Sequence, residues 1–121
     1  MKLSTGVDLI EVERIRDAIE RHGDRFIQRI FTATEQHECN GRLASLAGRF
    51  AAKEAAAKAL GTGIGDVSWL EIEIKGDENH APRLRLSGEG KRLADELGLT
   101  TWSVSITHTD TQAVAFVVAI G

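Results

Sequence analysis

Asp8 is an acid enclosed by Gly6, Val7, Leu9 and Ile10, where an extended run gives way to a helical one. Further along, Glu54 and Lys58 stand one helical turn apart in an alanine-rich stretch. At about 100° per residue, Glu54 falls between Leu43 and Ala47 on an arc that also holds Leu46 and Phe50, so the spacing predicts a carboxylate on the packing face. Two interpretations are open. Glu54 pairs with Lys58 in the favourable Glu-before-Lys order, worth about 0.3–0.5 kcal/mol on a helix surface. Alternatively, its desolvation is compensated by a cation, either Lys58 or a bound metal. Asp8 is likewise open between capping the helix that starts near Glu11 and serving as a second acid. Two carboxylates beside a lysine suit an oxygen-preferring divalent ion such as Mg2+, which takes one or two protein carboxylates and completes its shell with water and substrate phosphate. The chemistry in view is that of phosphate esters. Spacing alone leaves open whether Asp8 and Glu54 meet.

Cations that could hold a phosphate lie nearby in sequence: Arg49 and Lys53 on the same helix, and Arg83 directly after the single proline, Pro82. Arg14, Arg21 and Arg25 occupy roughly one side of the first helical region, beside a Val12-Ile15-Ile19 stripe. Such arginines are either simply solvated or a docking face for an acidic partner. His108 ends an alternating segment and by itself reads as a turn histidine. The glycine run 61–65 invites comparison with phosphate-binding loops, but those precede a helix whose N–H groups face the anion. This run follows one, so Gly61 is expected as a helix C-terminal stop. Cys39 is expected to be inert, and His22 and His37 have no partner in sequence.

These side chains need a scaffold. Residues 3–10 read as a strand with Leu3, Val7 and Leu9 on one face and Asp8 on the other beside Ile10. Helices follow over 11–22, stopped by Gly23, and over 24–30, with Thr32 or Thr34 capping a short third one. The longest helix spans 42–60. Residues 69–74 alternate as a strand, paired across a turn with 83–86, and Ser87 is expected to cap a helix ending near Leu97. Residues 101–108 and 113–120 form a C-terminal hairpin. Helices early, strands late and hairpin connections predict an α+β fold, an antiparallel sheet packed against the long helix.

Composition sets the limits. The 121 residues suffice for one domain, 1–121, and with 42% hydrophobic and 27% charged residues they exclude wholesale disorder. A core of this size folds without a structural metal, so a metal would be functional. The net charge of −3 disfavours general nucleic-acid binding, and one cysteine agrees with a reducing compartment. No apolar run approaches the roughly 20 residues of a membrane span, and residues 1–5 carry no signal-peptide core, so the cytoplasm is expected.

The segments Gly6-Val7-Asp8-Leu9-Ile10-Glu11 and Arg49-Phe50-Ala51-Ala52-Lys53-Glu54-Ala55-Ala56-Ala57-Lys58-Ala59-Leu60-Gly61 resemble the two signature motifs of the phosphopantetheinyl transferases. The short length, the Gly61-to-Gly65 continuation and the ending Ser103-Val104-Ser105-Ile106-Thr107-His108 resemble the stand-alone holo-acyl-carrier-protein synthases, and the likeness runs nearly the whole chain. The resemblance implies transfer of 4′-phosphopantetheine from coenzyme A to a serine of an acyl carrier protein. It implies Asp8 and Glu54 as Mg2+ ligands, Lys58 on a substrate phosphate, and Glu54 as the leading candidate for the base. Arg49, Lys53, Gly61, Pro82 and Arg83 would belong to the coenzyme site. His108 and Thr109 would approach it across a subunit boundary of a homotrimer, and Arg14, Arg21 and Arg25 would receive the carrier. One departure stands out: the family commonly has Gly-Lys before the proline, where this chain has His80-Ala81. Two other classes remain: a non-catalytic module binding an acidic partner, which retention of Asp8 and Glu54 disfavours, and a Mg2+-dependent phosphate-ester hydrolase.

Overall fold

Small residues organise the centre of the molecule. The computed structural model describes residues 1–121. Its long helix α4 (Leu43–Ala59) buries Ala51, Ala52, Ala55, Ala56 and Ala59. Opposite them, Ala113, Ala115, Val117 and Ala119 are buried from β5 (Gln112–Ile120). That strand is central in an antiparallel sheet of order β1-β5-β4, with β1 at Leu3–Glu11 and β4 at Thr101–His108. Alanine on both sides lets the helix lie close to the sheet, and Gly6 of β1 takes this furthest. A Cβ there would sit 1.8 Å from the Ala55 carbonyl oxygen. Because strand side chains alternate, Gly6, Asp8 and Ile10 face α4 together while Leu3, Val7 and Leu9 are exposed, as the sequence pattern predicts.

Around α4 pack α1 (Val12–His22), α2 (Asp24–Ile30) and α3 (Ala33–Cys39). A second hairpin, β2 (Ile72–Gly76) with β3 (Pro82–Leu86), leads into α5 (Gly88–Leu97). One core cluster of 22 buried residues joins these elements. The α+β architecture is as expected. Of the two cap candidates, Thr32 is the one used: its hydroxyl accepts from the Glu35 N–H at 3.2 Å, and Glu35 reaches back to the Thr32 N–H at 2.8 Å.

Three local expectations are corrected. Residues Trp69–Glu71 form a short 3-10 turn, and the strand begins only at Ile72. Ser87 makes no side-chain cap on α5. The Glu71 carboxylate does so from a distance, accepting from the Glu89 N–H at 2.7 Å. Helix α4 is covered nearly all round rather than along one arc, and Glu54 is only half-buried.

Candidate active site

Pairing β1 with β5, Asp8 opposite Ala115, brings the Asp8 side chain over the C-terminal half of α4. There Lys58 Nζ donates to the Val7 carbonyl at 2.9 Å and to Asp8 Oδ1 at 3.2 Å. The local Glu54–Lys58 pair is therefore not the one formed: Lys58 reaches a strand 50 residues away. Asp8 is not the helix cap either, since Glu11 occupies that position. Burial, and then the Asp8 charge, push the Glu54 carboxyl above the usual carboxylate range, opposed by Lys58 and Arg14. The structure thus brings Asp8, Glu54 and Lys58 into one cluster. Two carboxylates whose charges repel, with one ammonium paired to Asp8, form a donor set that fits a hard divalent ion. No third His, Cys, Asp or Glu joins them, which leaves coordination positions for water and substrate oxygens.

Arg49 lies about 14 Å from Lys58 along the helix axis, in a separate groove with Ser45, His80, Pro82, Ile106 and His108. Its Nη1 donates to Glu38 Oε1 at 2.9 Å and to the Ile74 carbonyl. Burial raises the Glu38 carboxyl, but bonds from the Gly76 N–H and Arg49 outweigh it and hold the group below the usual range. His80 takes φ 63°, a left-handed backbone uncommon outside glycine. Arg83 is exposed and donates to Asp77 Oδ2 at 3.1 Å. The Thr109 hydroxyl accepts from the Thr111 and Gln112 N–H groups, closing the β4–β5 turn. Gly61, at φ 80°, ends α4 with its N–H on the Lys58 carbonyl, the stop the sequence predicts.

Lys53 is corrected outright. It is fully buried, paired with Glu35 Oε1 at 2.7 Å, and donates to the carbonyls of Trp69 at 3.0 Å and Ile72 at 2.7 Å. An ammonium has three donors, and all three are used inside the protein, so none reaches a dissolved phosphate.

Arg14, Arg21 and Arg25 are exposed, and Arg14 is near enough for its charge to act on Glu54. Beside them opens a groove that sequence reasoning missed, lined by the aromatic rings of Phe26, Phe50 and Trp69 together with His22, Arg25 and Arg29. The Phe50 and Trp69 rings lie 4.7 Å apart and Phe26 is 6.5 Å from Phe50. The Arg25/Arg29 spacing of one turn was the available signal. Trp69 belonged to a misread strand and gave none.

Comparison with known proteins shows the family of the chain. The family described as "4′-phosphopantetheinyl transferase superfamily" matches residues 4–117. A holo-[acyl-carrier-protein] synthase of Herpetosiphon aurantiacus is 49% identical, covering 98% of this chain and 99% of the relative. One from Desulforudis audaxviator is 44% identical over 100% of this chain and 95% of its own. Among solved structures, the Helicobacter pylori holo-[acyl-carrier-protein] synthase in complex with coenzyme A superposes with a TM-score of 0.88 at 35% identity, covering 96% of this chain and 99% of that one. The Neisseria meningitidis enzyme gives 0.89 at 36% identity, with 98% of each chain covered. The chain belongs to the 4′-phosphopantetheinyl transferase superfamily and, within it, to the holo-[acyl-carrier-protein] synthases.

Proposed function

We infer that this protein transfers 4′-phosphopantetheine from coenzyme A to a serine hydroxyl of an apo acyl carrier protein, releasing adenosine 3′,5′-bisphosphate. The observation that carries this is the Asp8–Lys58–Glu54 cluster built where β1 crosses α4, in a chain of this family. Lys58 spends two of its three N–H donors on Val7 and Asp8, and the third is free for a phosphate oxygen of the coenzyme. Glu54, directly or through a water held beside it, accepts the proton from the serine oxygen as that oxygen bonds to phosphorus. Asp8 and Glu54 would hold Mg2+, which when bound neutralises charge building on the phosphate oxygens and the departing nucleotide. Arg49, Pro82, Arg83 and His108 supply the nucleotide end of the coenzyme site, with Thr109 shaping the turn beside it and Gly61 ending α4 at the Lys58 end.

Mass spectrometry of an apo carrier protein incubated with coenzyme A, Mg2+ and this protein tests the assignment. One phosphopantetheine should be gained. Product formed with water and no carrier would instead show the phosphate-ester hydrolase, and binding without any mass gain would show a non-catalytic module.

Arginines and aromatics together support a docking surface for the acidic carrier protein. Arg25→Glu is expected to raise the carrier's apparent KM about tenfold or more, with weaker salt dependence, and to leave that of coenzyme A unchanged. Equal losses for both substrates would place Arg25 in the fold or the coenzyme site instead.

The other side of the sheet supports assembly as a homotrimer. Leu3, Val7, Leu9, Phe116 and Ile120 are exposed on one continuous face, apolar enough to need cover from further copies of the chain. The acids and the His108 groove lie on different parts of α4, which supports sites completed by a neighbour. Once His108→Ala is shown to be strongly impaired, mixing it with Glu54→Ala under subunit exchange should restore part of the activity. A mixture that stays dead after confirmed exchange, or an active monomer by light scattering, removes the shared site. The protein is proposed to work as one domain in the cytoplasm. No helix is long and apolar enough to cross a membrane.

A further inference from the structure

Lys53 and Glu35 form a fully enclosed ion pair that the chemistry above does not use. Such pairs rarely add net stability over well-packed apolar residues, so their connections are informative. Glu35 Oε1 takes the Thr32 N–H and Oε2 takes the Ile74 N–H at 2.8 Å, tying α3 to β2. Lys53 Nζ holds the carbonyls at both ends of the short turn, Trp69 and Ile72. Burial pushes its ammonium below the ordinary lysine range, against the pull of Glu35 and Glu73. Three residues before Lys53 on the same helix is Phe50, whose ring meets that of Trp69 at 4.7 Å. Immediately after it is Glu54. One buried ammonium therefore fixes the backbone of the residue that walls the aromatic groove, from the helix that also carries the catalytic carboxylate.

We propose that Lys53, buttressed by Glu35, is a positioning residue for the carrier protein: it sets the Trp69 wall of the docking groove relative to Glu54 and leaves coenzyme A binding untouched. This rests on the docking groove assigned above. Residues 69–71 form a 3-10 turn in which the Trp69 carbonyl accepts from both the Ile72 N–H and Nζ. Without Nζ, the Trp69 ring keeps its contact with Phe50 but loses its backbone anchor, and the groove no longer offers one shape to a partner side chain.

The test uses the full chain with Trp102→Phe, leaving Trp69 as the sole tryptophan. Adding carrier protein, but not coenzyme A, should change Trp69 fluorescence; silence there would overturn the groove assignment itself, whatever Lys53 does. Lys53→Met, and Lys53→Met/Glu35→Gln, which avoids an unpaired buried carboxylate, should each red-shift Trp69 emission and raise the carrier's KM about tenfold. The KM of coenzyme A and kcat should stay within about twofold of the parent. Trp69→Ala should raise the carrier's KM similarly, and combining it with Lys53→Met should add little, because residues acting through one contact are non-additive. Unchanged carrier KM, equal rises for both substrates, or full additivity would overturn the proposal. So would failure of both Lys53 variants to fold, which would make the pair a folding requirement alone.

Discussion

Asp8→Ala and Glu54→Ala are each expected to lower transfer by at least about 100-fold, the scale on which single groups stabilising transition-state charge act. Both variants should fold, because neither side chain is part of the buried core. The amide variants sharpen the test. Glu54→Gln removes the charge that Asp8 opposes, so its thermal stability should equal or exceed that of the parent while its activity falls. Asp8→Asn leaves Lys58 with the Val7 carbonyl as partner, and that ammonium is half-exposed, so the cost in stability should be small. A chelator should abolish activity of the parent protein, and Mg2+ should restore it. Near-normal turnover of either variant at saturating Mg2+ would rule out the shared-metal assignment.

What the sequence disclosed depended on how local each interaction is. Helix ends were legible because their determinants lie within one turn: Thr32 caps with Glu35 three residues on, and Gly23 and Gly61 stop helices where they stand. The orientation of Asp8 was legible from strand alternation. Partners were not. Glu54 and Lys58 have ideal helical spacing, yet Lys58 turns to β1, because a carboxylate and a carbonyl from another element offer two hydrogen bonds at once. Lys53 looked like one more cation beside Arg49. Only the chain return from Glu35 and Trp69 shows its ammonium enclosed. Residues 69–71 matched a strand by alternation, but Glu71 is claimed by the N–H groups of Ser68 and Glu89 and the Trp69 carbonyl by Lys53. Tertiary contacts outweighed local pattern at each of these points. The motif residues Asp8, Glu54 and Lys58 were assigned together by resemblance, and the structure supplies the reason they can act together, the closeness of β1 to α4.

That closeness makes Gly6 the residue with the largest expected effect outside the chemistry. The added methyl of Gly6→Ala would meet the Ala55 carbonyl oxygen at 1.8 Å, its carbon at 2.8 Å and the Ala59 nitrogen at 3.1 Å. All three are backbone atoms inside a helix, so no rotamer change relieves the clash, and β1 must move away. Overpacking of this kind costs typically about 1–3 kcal/mol, which lowers the melting temperature by roughly 4–8 °C per kcal/mol in a domain of around 100 residues. Activity should fall further than stability. The same movement withdraws Asp8 from Lys58 and Glu54 and breaks the 2.5 Å bond from the Ser4 hydroxyl to the Ala59 carbonyl, and misplacement by about 1 Å can cost on the order of 100-fold in rate. Assays well below the variant's melting temperature separate the two effects: the folded protein should still show a greatly reduced kcat. Ala55→Gly should not rescue it, because the obstruction is the Ala55 backbone and glycine inside a helix costs about 1 kcal/mol more. Ser4→Ala, which removes the hydrogen bond without displacing the strand, should be far milder. A Gly6→Ala protein with parental melting temperature and turnover would show that β1 can retreat without moving Asp8, and the close crossing of β1 over α4 would then not be what assembles the site.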